Sequence, residues 1–149
     1  MENLYHYTES GLDNIYLVNG VVQTKTPYGE VTKIEHMEQL HATIGSIICG
    51  ESNLINNKEF RYLRVEMGLS QKNLGEFMGV DSQTIARWEK GETDIKGPAD
   101  RMIRVLYLEH IKEDSSLKKL CDELSKIDNQ DHEDLSFELN TNTGWNIAA

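Results

Sequence analysis

Cysteine is scarce in this sequence. There are two, Cys49 and Cys121, far apart and outside any Cys-x-x-Cys pair. That excludes a disulfide framework and a cysteine zinc site, and a reducing cytoplasm is the expected compartment. Long apolar runs are missing too. Nothing approaches the roughly 18 residues of a membrane span, so no membrane role is expected. The start, Met1-Glu2-Asn3-Leu4-Tyr5-His6, lacks the basic and then apolar layout of a signal peptide. Positive charge is also in short supply: 15 Lys and Arg against 25 Asp and Glu give a net charge of −10. Such a balance speaks against nucleic acid at first sight. The deficit is uneven, however. Residues 1–55 carry −5, residues 56–112 carry +1 and residues 113–149 carry −6. Binding to a polyanion depends on the local face, so the middle of the chain stays open to it.

What is present suits a globular protein. The 149 residues are 38% hydrophobic and 27% charged, enough for one ordinary domain or two small ones with a real core. The pattern divides into a small β region at 1–35, a helical domain at 36–113 and an acidic helix and tail at 114–149. In the first part, runs at 15–18 and 21–24 are rich in branched and aromatic residues, with Asn19-Gly20 as a hairpin turn between them. A second turn at 27–30 precedes a strand at 31–34. Met37, Leu40, Ile44, Ile47 and Ile48 have helical spacing, and Gly50 ends that helix. Phe60, Leu63 and Met67 share one face of a helix over 57–67. A further helix over 99–112 follows Gly97-Pro98. Leu117, Leu120, Leu124 and Ile127 form a stripe over 116–127. The alternation at 135–139 predicts a short strand that could join the N-terminal sheet, or a disordered tail.

Catalytic and metal signatures are not found. There is no Gly-x-Ser-x-Gly elbow, phosphate loop or dinucleotide fingerprint. His36 and His41 are five apart, which rotates them about 140° from each other on a helix and away from a shared metal. Acidic pairs such as Glu133-Asp134 belong to a solvated charge run. Neither an enzyme nor a cofactor is expected. Cys49 and Cys121 adjoin apolar stripes and read as structural.

The stretch from Gln71 to Lys90 is the informative one. Leu74, Met78, Val80, Ile85 and Trp88 are apolar where two short crossing helices bury a shared face. Gly75 is small where the second helix passes the first. Gly79 suits the left-handed turn, and Asp81 caps the second helix. This is a helix-turn-helix pattern.

LSQKNLGEFMGVDSQTIARWEKGE resembles the XRE, or lambda-repressor-like, helix-turn-helix family, with similarity from about residue 57 to 111. The resemblance implies a mainly α, five-helix lambda-repressor-like domain beside the small antiparallel β region. It also implies that helix 81–90 lies in the major groove of double-stranded DNA. Ser82, Gln83, Thr84 and Arg87 would then face the bases. Gln83 suits adenine, and Arg87 suits guanine or phosphate. Gln71 would contact phosphate and brace the reading residues, with Lys72 and Lys90 as phosphate neighbours. Arg64 and Glu89 stand where the family places a partly buried structural ion pair. A narrower similarity, in residues 5–20 and in WEKGE…GPADRMIRVLY, is to MqsA-type antitoxin regulators, although the zinc-binding cysteines of that group are missing. It implies a homodimeric, autoregulating repressor on a palindromic operator, with a toxin as possible partner. The alternative is a protein-interaction module for a basic partner such as a toxin, with the helix-turn-helix as scaffold.

Overall fold

Capping side chains set three of the helix starts. The computed structural model describes residues 4–112 and 134–148. Within them lie five α-helices: α1 (Met37–Gly50), α2 (Asn57–Glu66), α3 (Gln71–Met78), α4 (Ser82–Lys90) and α5 (Gly97–His110). Asn56 opens α2 with a capping box. Its side chain accepts from the Glu59 N–H, and the Glu59 carboxylate accepts from the Asn56 N–H. Ser70 caps α3 and Asp81 caps α4 in the same one-sided way. Gly79 and Gly91 end these two helices in the left-handed conformation, at φ +72° and +74°.

Among the described residues, six short strands form three separate antiparallel pairs. β1 (Tyr5–His6) pairs with β2 (Tyr16–Leu17), and β3 (Val21–Thr26) pairs with β4 (Gly29–Ile34). β5 (Phe137–Asn140) pairs with β6 (Gly144–Ile147). Two expectations are corrected here. Asn19-Gly20 is not a hairpin turn, because the strand before it is taken by Tyr5 and His6; it links two sheets instead. The true tight turn is Pro27-Tyr28, closed by the Thr26–Gly29 pair. The strand near 137 pairs with its own neighbour, β6, and not with the N-terminal sheet. The stripe expected over 116–127 lies outside the described residues.

One core unites the helices. Phe60 and Leu63 of α2, Leu74 of α3, Ile85 of α4 and Ile103 and Tyr107 of α5 are all fully buried. Leu12, from the loop between β1 and β2, joins the same cluster. α1 contributes Ile44 and Ile48. Its expected stripe was wider: Met37 is exposed, and Ile47 is 63% exposed. Ile47 is turned about 100° from Ile48 on the helix, and α1 covers the core from one side only. The crossing of α1 and α5 is close because residue 45 is glycine; a methyl group there would collide with the Tyr107 ring.

Two polar clusters fasten the layers. The Arg104 guanidinium donates to the carbonyls of Cys49, Glu51 and Asn53 and to Asp100 Oδ1. Asp100 Oδ1 also accepts the Ile55 N–H at 2.8 Å. The α1–α2 link is thereby tied to α5. The second cluster centres on His41. Its Nε2 is 2.7 Å from the Tyr7 hydroxyl and its Nδ1 is 2.9 Å from Glu66 Oε1, while its carbonyl accepts from Tyr62 and Tyr107. Four segments distant in sequence meet at this one residue, two of its partners on the imidazole and two on the carbonyl.

Candidate nucleic-acid interface

α4 has two different sides. Ile85, Trp88 and Glu89 are buried, whereas Gln83, Arg87 and Lys90 are exposed. The exposed three are spaced i, i+4 and i+7, which aligns them along one stripe. Ser82 is exposed at the start of the same helix. Thr84 is half-buried and already occupied: its hydroxyl and its N–H both donate to Asp81 Oδ1 at 2.7 Å. Those two bonds hold the Asp81 carboxyl below the usual carboxylate range. The inner side packs by Trp88 on Phe60 of α2, edge to face at 5.7 Å.

Gly75 fixes how α3 meets the turn. A methyl group there would sit 2.6 Å from the Val80 carbonyl oxygen. The close neighbour is thus the backbone of the turn at 80–81, rather than the second helix expected from the sequence. The Val80 N–H also donates to the Gly75 carbonyl at 2.9 Å. Only residues 79–81 separate the two helices.

Behind the outward stripe, Glu89 is an anchor. Arg64 Nε donates to Glu89 Oε2 at 2.6 Å and its second nitrogen to Oε1 at 2.8 Å. The two side chains are 12% and 4% exposed. This is the two-pronged geometry that suits guanidinium to carboxylate. Arg64 also donates to the Leu69 carbonyl at 2.9 Å, and Gln71 Nε2 reaches Glu89 Oε1 at 3.4 Å. The Asn57 amide donates to the Glu89 carbonyl at 3.2 Å. So α2 and α3 converge on one residue of α4, and the α2–α3 turn holds the Arg64 guanidinium that reaches it. The sequence reading did not single out Asn57; an amide at the first position of α2 gives no signal until α4 is placed beside it. Lys72 is exposed on α3 and does not join this cluster.

Residues 60–98 match the helix-turn-helix family model. No curated protein and no solved structure matches the chain. The matched helix-turn-helix runs from Phe60 in α2 to Pro98 in α5 and contains the whole Glu89 anchor except Asn57. A match of this kind points to DNA-binding transcription regulation. Its outward stripe is open surface: clefts of 490 and 540 Å³ are both lined by His41 and Glu66, and neither is lined by Gln83 or Arg87. Among the described residues, no group of three or more His, Cys, Asp or Glu is arranged to hold a metal ion, and no helix is long and apolar enough to cross a membrane. Burial pushes the Cys49 thiol up to about 11, which leaves it unreactive at neutral pH.

Proposed function

We propose that this protein is a sequence-specific DNA-binding repressor that reads the major groove with α4. The observation that carries this reading is the stripe of Gln83, Arg87 and Lys90 on a helix whose opposite side is locked by Arg64, Gln71 and Asn57. Base readout needs side chains held in register, and a helix anchored from three directions supplies that. Gln83 and Arg87 are the base readers. Ser82 and Thr84 flank them, and Gln71, Lys72 and Lys90 lie toward phosphate.

One motif covers few base pairs, so the reading includes a homodimer on a palindromic operator. The similarity to MqsA-type regulators adds autoregulation and an antitoxin role, with a toxin as protein partner. The acidic flanks, −5 and −6, repel DNA from the rest of the surface and leave the contact to α4.

The test is fluorescence anisotropy with DNA from just upstream of the reading frame, against a scrambled duplex, at several salt concentrations. We expect the upstream duplex to bind tighter by about 10³ or more. Gln83→Ala with Arg87→Ala should remove most of that preference, since each good bidentate contact is worth about 1–3 kcal/mol of discrimination. Equal binding to both duplexes that vanishes with modest salt overturns the repressor reading. So does an unchanged preference in the double variant.

A further inference from the structure

The β5–β6 hairpin is amphipathic to an unusual degree. Its register pairs Phe137 with Ile147 and Leu139 with Trp145. Residues two apart on a strand share a face, and so do direct cross-strand partners. All four large apolar side chains therefore stand on one side. Glu138 and Asn146 pair on the other. The turn is built firmly: the Asn142 N–H donates to Asn140 Oδ1 at 2.9 Å, and Gly144 closes it at φ +85°. The apolar side is nonetheless 57–69% exposed.

A lone two-stranded hairpin with a bare apolar face is marginal in water. Exposed patches of several hundred Å² usually mark a binding surface. Charge says what kind of partner fits. Between 127 and 149 the sequence has Asp128, Asp131, Glu133, Asp134 and Glu138 and no Lys or Arg. Two such tails repel each other. DNA is repelled for the same reason as a second copy.

We propose that the β5–β6 hairpin is a docking element for a basic protein, inserting Phe137, Leu139, Trp145 and Ile147 into an apolar groove rimmed by Lys and Arg. The acidic residues of this stretch of sequence, Glu138 on the hairpin itself among them, steer the encounter, and the apolar face supplies the hold. This surface is independent of α4 and does not rest on the DNA reading.

The test uses the full chain with Phe137 replaced by the photo-crosslinker p-benzoylphenylalanine. Cross-linking in the native host, followed by mass spectrometry, identifies what touches the face. The purified partner is then titrated against the chain. We expect a protein of basic isoelectric point whose affinity falls at least about tenfold with Trp145→Ser, the loss of one buried aromatic anchor. Glu138→Lys lies on the opposite face and keeps the apolar one intact; it should slow association and flatten the salt dependence. Adducts only with a second copy, with the chain's own helices, with an acidic protein or with nucleic acid overturn the proposal. Absence of any adduct overturns it too, as does full affinity in Trp145→Ser.

Discussion

At the scale of single residues, Glu89 carries more than its share. It is buried, and Arg64, Gln71 and the more distant Arg61 all approach its carboxylate. Removing one partner of such a pair strands the other charge. We expect Arg64→Leu to cost about 3–5 kcal/mol in urea unfolding. Glu89→Leu in the same chain should recover part of that loss, because the uncompensated carboxylate goes with it. Asp81 gives a pH effect of definite sign. Its carboxyl is held below its ordinary value by Thr84. The stability it contributes is thus present above the unfolded carboxylate range and lost as pH falls through the folded value. Asp81→Asn keeps a capping side chain without the charge. Its thermal midpoint should fall less than the wild type's between neutral pH and the acid range. Much of this scale is legible in the sequence. Gly79, Asp81, Arg64 and Glu89 have positions that a helix-turn-helix dictates. The role of His41 is not legible in the same way, because Tyr7 and Glu66 reach its imidazole, and Tyr62 and Tyr107 its carbonyl, only after folding.

Elements differ in how far local signals govern them. The helices carry their own punctuation in Asn56, Ser70, Asp81 and Pro98, so their ends follow from the chain itself. The strands do not. β1 and β2 are two residues each and meet across a loop held by the Tyr7 N–H to the Ile15 carbonyl, whereas the dipeptide Asn19-Gly20 favours a local hairpin that never forms. Long-range pairing overrides the local turn signal. Close approaches between elements are only partly legible: Gly75 signals one but not its neighbour, the backbone at Val80, and Gly45 gives no signal of Tyr107. We expect Gly75→Ala to destabilise the protein despite the roughly 1 kcal/mol gain in helix propensity, because its methyl group meets fixed backbone at Val80. Gly45→Ala should cost about 1–3 kcal/mol by overpacking against Tyr107. Tyr107→Leu combined with it should return part of that cost, as read by thermal melts of the single and double variants.

Across the whole molecule, order and charge are distributed unequally. The shared core holds α2, α4 and α5 together, while most of β3–β4 and nearly all of β5–β6 stand in solvent. Hydrogen exchange should therefore find two classes of amide. Those of Val22, Gln23 and Thr32 are expected to exchange orders of magnitude faster than those of Leu63, Ile85 and Ile103; equal protection in both sets would mean that the ribbon is covered in solution. The chain has two tryptophans, one in each class. Trp88 is 7% exposed on the inner side of α4, and Trp145 is 69% exposed on the tail hairpin. Their emission should separate into a blue component sheltered from acrylamide and a red one open to it. A titrant that seats on the hairpin shifts and shelters the red component alone. Melting of the helical core moves the blue one. A single unlabelled sample thereby carries one optical gauge for the helical core and another for the tail hairpin.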